Sequence, residues 1–145
     1  MMRASTYMFT LIIALLVLLF SLAEFMKYYG DIKKIHRFEK GVDSFYLLYN
    51  RVEDVCRSFL GEKREIVFYL SPEITEVYSN GKMLCYDSKK DRVCKETTCI
   101  IENFNLQYME SPEYLAAAEE GVQKYRIIIE KVESKKVKLS YELII

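Results

Sequence analysis

The feature that most constrains this chain is an apolar run near its N-terminus. From Tyr7 to Ala23 the sequence reads YMFTLIIALLVLLFSLA and contains no charged residue, no glycine and no proline. Extended past Glu24 by Phe25 and Met26, it reaches the ~20 residues that an α-helix needs to cross about 30 Å of hydrocarbon. Because a backbone in lipid must satisfy its own hydrogen bonds, the run is predicted to be a transmembrane helix.

Two other interpretations of this run stay open. Ser21-Leu22-Ala23 is a small-x-small site before Glu24, which is typical of a secretory signal cleaved at that point. A buried core helix is the third interpretation, but nothing in 145 residues is large enough to surround an all-apolar helix. The anchor is favoured, because the run is longer than most signal-peptide cores and a helical pattern continues directly out of it.

Charge and cysteine usage disagree about the side of the membrane on which the remaining chain lies. Basic residues closely follow the apolar run, which by the positive-inside rule favours a cytoplasmic C-terminal domain. These residues are Lys27, Lys33, Lys34, Arg37 and Lys40. An even number of cysteines behind a membrane-targeting segment is instead typical of disulfides in an oxidising compartment. We give the cysteines more weight and expect a single-pass cell-membrane protein with an extracytoplasmic domain at the cell surface.

The four cysteines are expected to form two disulfides. Cys85 and Cys94 flank a polar-centred stretch, and a symmetric hairpin centred between Lys89 and Lys90 places them directly opposite each other. Cross-strand Cβ atoms then lie within about 5.5 Å, close enough to bridge. The pair Cys56–Cys99 follows by elimination and would join helix to sheet, although sequence alone leaves the other two connectivities open.

Other uses of the cysteines fit the spacing less well. A Cys₄ zinc site normally uses paired C-x₂₋₄-C knuckles, whereas only Cys94 and Cys99 are close together here. No C-x-x-C occurs, which disfavours a redox-active pair. Buried free thiols in a cytosolic domain are the remaining alternative.

Beyond the membrane segment, the apolar residues follow an unbroken three-four spacing. They are Ile35, Phe38, Val42, Phe45, Tyr49, Val52, Cys56 and Phe59. Such a seam lies on one face of a helix, and Gly61 stands where a C-cap glycine belongs, so the helix is predicted to end near Leu60. The seam either assembles with copies of itself or covers the protein's own β-sheet, and covering the sheet is favoured for its C-terminal half.

After Gly61 the pattern changes from helical to alternating. Strands are predicted at 64–70, 74–79, 82–87, from about 92, at 97–108, 124–132 and 137–145. Asn80-Gly81 predicts a type I′ hairpin turn. Ser111-Pro112-Glu113 predicts the start of a short helix at 112–120.

The predicted fold class is α+β, with a long N-terminal helix, transmembrane and then amphipathic, packed on a small antiparallel β-sheet domain. The expected organisation is a leader at 1–4, a transmembrane helix at 5–29, an amphipathic continuation at 30–60 and a β domain at 61–145. A sheet of this size is marginal alone, so the helix and the disulfides are expected to stabilise it.

This combination resembles the archaeal form of the type IV pilin-like family. Arg3-Ala4-Ser5 is similar to the class III leader site, and the resemblance implies cleavage between Ala4 and Ser5 by a prepilin peptidase. Residues 61–67 (GEKREIV) are similar to the start of the β domain in these proteins. Major pilins carry a glutamate as fifth residue of the mature chain, whereas this chain has Phe9 there, which favours a minor, pseudopilin-like component.

The function expected is therefore a non-enzymatic structural component of a surface filament or secretion apparatus, partnered by the membrane and by other pilin-like subunits. The alternative is a membrane-tethered extracytoplasmic binding module of unknown ligand, with the loop 108–121 as one contact region. A net charge of zero disfavours nucleic acid. No catalytic set, metal knuckle or phosphate-binding glycine loop is evident, so no enzyme activity, cofactor or small-molecule substrate is expected.

Overall fold

The computed structural model describes residues 2–145, with side chains from Arg3 onward. It divides into two units, residues 1–36 and residues 37–145. Met1, the first residue of the expected leader, lies outside the described residues. The elements are α1 (Met2–Cys56), β1 (Lys63–Leu70), β2 (Ile74–Asn80), β3 (Met83–Ser88), β4 (Arg92–Glu96), β5 (Ile100–Ile101), β6 (Asn105–Gln107), α2 (Pro112–Ala117), β7 (Gln123–Glu133) and β8 (Lys136–Leu143).

The first unit consists of the N-terminal part of α1. Its leucine-rich sequence favours helix and no proline interrupts it. Gly30 and Gly41 both lie inside the continuous helix. Among the described residues, α1 is the one helix long and apolar enough to cross a membrane, and its apolar window has a mean hydropathy of 2.5.

The second unit contains two four-stranded sheets. Sheet A has the order β1-β7-β8-β5 and sheet B the order β4-β3-β2-β6. Every neighbouring pair is antiparallel except β5 and β8, which are parallel. The α+β class with a helix packed on an antiparallel-rich β domain is confirmed. The strands, however, form two sheets around one core rather than a single sheet.

The predicted strand at 97–108 is wrong, because this segment is divided between the sheets. Ile100 and Ile101 pair with β8 in sheet A, whereas Asn105 to Gln107 pair with β2 in sheet B. Ser79 causes the transfer. Its Oγ donates to the Glu102 carbonyl at 3.1 Å and accepts from the Phe104 amide at 3.0 Å, which turns the chain toward sheet B.

The β2–β3 turn also differs from the prediction. Asn80 still pairs with Met83 at the end of the ladder, so the two turn residues are Gly81 and Lys82. Gly81 has a positive φ of 61° and Asn80 does not. A glycine at the first turn position is typical of a type II′ turn, not of the type I′ turn expected from Asn80-Gly81.

Helix α1 ends at Cys56, four residues before the predicted end. Gly61 takes a positive φ of 86°, but its amide donates to the Lys131 carbonyl at 2.9 Å. It therefore starts the β1–β7 pairing instead of capping the helix. The short helix α2 begins at Pro112 as predicted and ends at Ala117 instead of residue 120.

Candidate functional site

The candidate site has two parts, the exposed apolar segment of α1 and the surface of the domain that α1 helps to form. The membrane-facing candidate residues lie in the first unit, where every described side chain from Arg3 to Tyr29 is exposed. Ala4 and Ser5, the expected cleavage pair, lie within α1. Glu24 is the one charged residue between Arg3 and Lys27. The segment thus presents an apolar surface that the described structure leaves uncovered.

The second half of α1 packs into the core of the domain. Phe45, Val52 and Cys56 of the predicted seam are buried, and Phe38, Val42 and Tyr49 pack against the core while partly buried. The seam missed Leu48 and Val55, which are both fully buried. Each lies three positions after a seam residue, as expected for the broader apolar face of a helix that packs on sheets.

Two predicted seam residues do not belong to this packed face. Ile35 is 59% exposed and lies in the first unit. Phe59 is 87% exposed, because the helix ends before it and its side chain leaves the helical face. The helix–sheet contact therefore begins near Arg37 and ends at Cys56.

At the start of this contact, α1 lies very close to the segment that begins at Ser71. Gly41 is buried, and a Cβ atom at this position would lie 2.7 Å from Ile74 Cδ1 and 3.1 Å from Ser71 Oγ. Any larger residue at this helical position would have to displace these two side-chain atoms. One turn earlier, Arg37 Nη2 donates to Glu73 Oε1 at 2.7 Å, which holds the helix against the segment between β1 and β2.

Several contacts fix the end of the helix. The disulfide Cys56–Cys99 joins α1 to the segment before β5, and Cys85–Cys94 joins the directly opposed residues of β3 and β4. Both pairs are those expected from the sequence. Next to the first bridge, the Glu53 carboxylate accepts from the amide and the hydroxyl of Thr98, each at 2.7 Å.

Lys131 caps the helix from the opposite side. Its side chain is buried, and Nζ donates to the carbonyls of Cys56 at 2.8 Å and Ser58 at 2.7 Å. Cations are stabilising at a helix C-terminus, where the last carbonyls lack intrahelical partners. Sequence reasoning did not find this residue. A lysine at an inward position of an otherwise alternating strand, between Ile129 and Glu133, was the available signal.

A cleft opens where the two sheets separate. It has a volume of about 340 Å³, and its lining includes Tyr114, Tyr125 and Tyr141 together with Asn105 and Met109. Tyr141 is 50% exposed, and its ring makes edge-to-face contacts with Tyr125 and Phe104, each with centroids 5.9 Å apart. The loop 108–121, expected as a contact region, therefore contributes one wall of the cleft.

Gln123 holds that loop against sheet A. Its side chain is fully buried, and Nε2 donates to the Met109 carbonyl at 2.7 Å. The Tyr125 hydroxyl donates to Gln123 Oε1 at 2.9 Å. Burial raises the pKa of Tyr125 to about 12, so this hydroxyl stays protonated and acts as a donor at neutral pH.

The described residues contain no group of three or more His, Cys, Asp or Glu side chains placed to hold a metal ion. The ion pairs that they do form lie mostly on the surface. On the outer face of sheet A, Arg126 contacts Glu65 at 2.7 Å and Glu142 at 3.9 Å. The described surface includes an exposed apolar helix segment, a mixed polar and aromatic cleft, and the edges of the two sheets.

A long apolar helix whose second half packs on an antiparallel-rich β domain is the general architecture of pilin-like proteins. Comparisons of this chain with protein-family models, with curated proteins and with solved structures gave no match.

Proposed function

We propose that this protein is a non-enzymatic, minor pilin-like component of a surface filament or secretion apparatus. It would be held in the cell membrane by the first part of α1 and would assemble through that helix with other pilin-like subunits. Its disulfide-linked domain would lie on the extracytoplasmic side. An archaeal origin and the class III leader are part of the same proposal.

The observation that carries the proposal is that two segments of one helix have different surroundings. From Tyr7 to Ala23 the helix is apolar, uncharged and exposed, whereas from Phe45 to Cys56 it contributes core residues to the domain. An exposed apolar surface of this length is stable in lipid or against other apolar helices, not in water.

The two disulfides support the extracytoplasmic placement. All four cysteines are paired, and none is left free. Such bridges persist in oxidising compartments and are rare in an ordinary cytosol. The basic residues that follow the apolar run favour the opposite topology, so the redox state of the cysteines in the native cell is a direct test of placement.

Mass spectrometry of the mature N-terminus tests the proposed assembly role. Co-expression with a class III prepilin peptidase should give a chain that starts at Ser5. The variant Arg3→Glu, which removes the basic residue of the site, should keep its N-terminus, and Lys27→Glu serves as a charge-matched control that should still be processed. A start at Glu24 would make the protein secreted and would refute the proposal, and an unprocessed chain would favour a simple tether.

The second candidate function is a membrane-tethered extracytoplasmic binding module. The cleft beside Tyr141 favours it, because concave sites with aromatic walls and a few polar groups are typical of ligand binding. The two functions separate on the role of α1. If the binding module is the function, replacing residues 7–26 with an unrelated membrane span should leave ligand binding intact, whereas filament assembly should be lost.

A further inference from the structure

Strand β8 has a partly uncovered hydrogen-bonding edge. Its neighbour β5 pairs only with Lys136 and Val137. Beyond that point Ser79 draws the chain toward sheet B, because it binds the Glu102 carbonyl and the Phe104 amide. Residues 139–143 of β8 therefore have a strand partner, β7, on one side only.

The backbone groups that face this open edge can be identified from the ladder. Glu102 donates its amide to the Val137 carbonyl at 2.8 Å, so Val137 faces β5, whereas the Ile144 amide donates to Lys124 of β7. The backbone N–H and C=O groups of successive strand residues point to alternate sides of the strand. Leu139, Tyr141 and Leu143 therefore direct their amides and carbonyls to the open side, where the described residues supply no backbone partner.

Other edges of the two sheets carry more charge. The edge strand β1 begins with exposed Lys63, Arg64 and Glu65, and the edge strand β4 contains exposed Arg92 and Glu96. Charged residues of this kind block unwanted strand pairing at sheet edges.

The open part of β8 reads LSYEL and has one charged residue, Glu142. This edge also borders the cleft, because Tyr141 is part of its lining. A strand added at the edge would place alternate side chains beside Tyr141, in the space between the two sheets.

We propose that the free edge of β8 from Leu139 to Leu143 binds an extended segment of another polypeptide by strand addition. The segment would pair antiparallel to β8 and would carry the pattern basic–apolar–any–apolar. Its backbone would bond to Leu139 and Tyr141, and its apolar side chains would lie in the cleft. This inference concerns the second candidate function and does not depend on filament assembly.

Charge complementarity defines that pattern. On the outer face, the carboxylate of Glu142 is 72% exposed. An antiparallel strand would place a basic residue opposite Glu142. The place opposite Lys138 is already taken, because Glu102 follows Ile101 in the β5–β8 register and donates its amide to the Val137 carbonyl at 2.8 Å. The chain already contains the basic complement, since β7 places Arg126 opposite Glu142.

The pairing of β7 with β8 supplies a probe for the open edge. The probe is a synthetic fluorescent peptide with the sequence of residues 124–129 (KYRIII) and a polar tail. Binding would be measured by fluorescence anisotropy with the full-length chain in nanodiscs, against empty nanodiscs. We expect saturable binding to the protein-containing discs.

Two N-methylated peptides test the backbone pairing. N-methyl groups at the positions of Ile127 and Ile129 block the amides that would face Tyr141 and Leu139, and should weaken binding about tenfold or more, as expected for the loss of two hydrogen bonds. N-methyl groups at the positions of Arg126 and Ile128 face away from β8 and should leave affinity within about twofold. Equal affinity of the two peptides would overturn the proposal.

A charge reversal tests the pairing opposite Glu142. The variant Glu142→Lys should bind the original peptide about threefold more weakly. It should regain affinity for a peptide that has glutamate at the position of Arg126. Failure of the peptide to bind at all, or a preference of the variant for the original peptide, would overturn the proposal without affecting the N-terminal processing test.

Discussion

The two disulfides offer a quantitative test of how the domain is stabilised. They close loops of very different length, with sequence separations of 43 for Cys56–Cys99 and 9 for Cys85–Cys94. A bridge lowers the chain entropy of the unfolded state, and the effect grows with the logarithm of loop length. At room temperature the chain-entropy relation gives about 4 kcal/mol for the long loop and about 2.6 kcal/mol for the short one.

Packing should increase this difference. Cys56 and Cys99 are both buried, whereas Cys94 is exposed. Replacement of the first pair by alanine therefore also removes buried sulfur atoms next to the end of α1. We expect the Cys56→Ala/Cys99→Ala variant to lose at least about 1.4 kcal/mol more stability than Cys85→Ala/Cys94→Ala.

The assay is urea denaturation of the full-length chain in nanodiscs, followed by the near-ultraviolet circular dichroism of its tyrosines. The free energy of unfolding is obtained by linear extrapolation, and an unchanged slope shows that the same surface unfolds in each variant. Reduced wild-type protein should match the variant that lacks all four cysteines. An equal or larger loss for the Cys85–Cys94 variant would refute the reasoning, because it would show that the helix end is not a principal attachment point.

Three further predictions use the same denaturation assay. Gly41→Leu should lower the free energy of unfolding by about 1–3 kcal/mol, because the new side chain overpacks against a buried isoleucine. Gly30 has open space around it, so Gly30→Leu should not lower domain stability. Equal effects of the two substitutions would contradict the close contact. Lys131→Met should lower the free energy of unfolding by about 2–3 kcal/mol, because the Cys56 carbonyl at the helix end and the Ser58 carbonyl after it lose their charged donor. The exposed Lys138→Met should change stability little. The raised pKa of Tyr125, about 12 against 10.0, means that the unfolded chain ionises first. The stabilising contribution of Tyr125 should therefore be fully present below pH about 10 and be lost as the pH rises toward about 12. The free energy of unfolding should fall less steeply with pH in Tyr125→Phe. Identical alkaline profiles of the two proteins would contradict a raised pKa of Tyr125.

Local patterns in the sequence predicted the elements well. The uncharged run from Tyr7 predicted the candidate membrane helix, and alternation predicted most strand positions to within one or two residues. The symmetric spacing around Lys89 and Lys90 predicted that Cys85 lies opposite Cys94, because a hairpin register depends on neighbouring residues alone. The α+β class followed from these elements.

The features that sequence reasoning missed depend on contacts between distant residues. The division of 97–108 between two sheets depends on Ser79, which binds backbone groups more than twenty positions away. The end of α1 is capped by Lys131, which lies 75 positions from Cys56. The cleft beside Tyr141 forms where the two sheets separate, so no local sequence pattern predicts it.

The claim on which the rest depends is that one apolar helix holds an oxidised domain to a membrane. The most direct measurement is alkaline carbonate extraction of native membranes, combined with alkylation of free thiols before and after reduction. We predict that the chain stays in the membrane pellet, is released only by detergent, and reacts at its four cysteines only after reduction. Release into the carbonate supernatant with four reactive thiols would contradict the account.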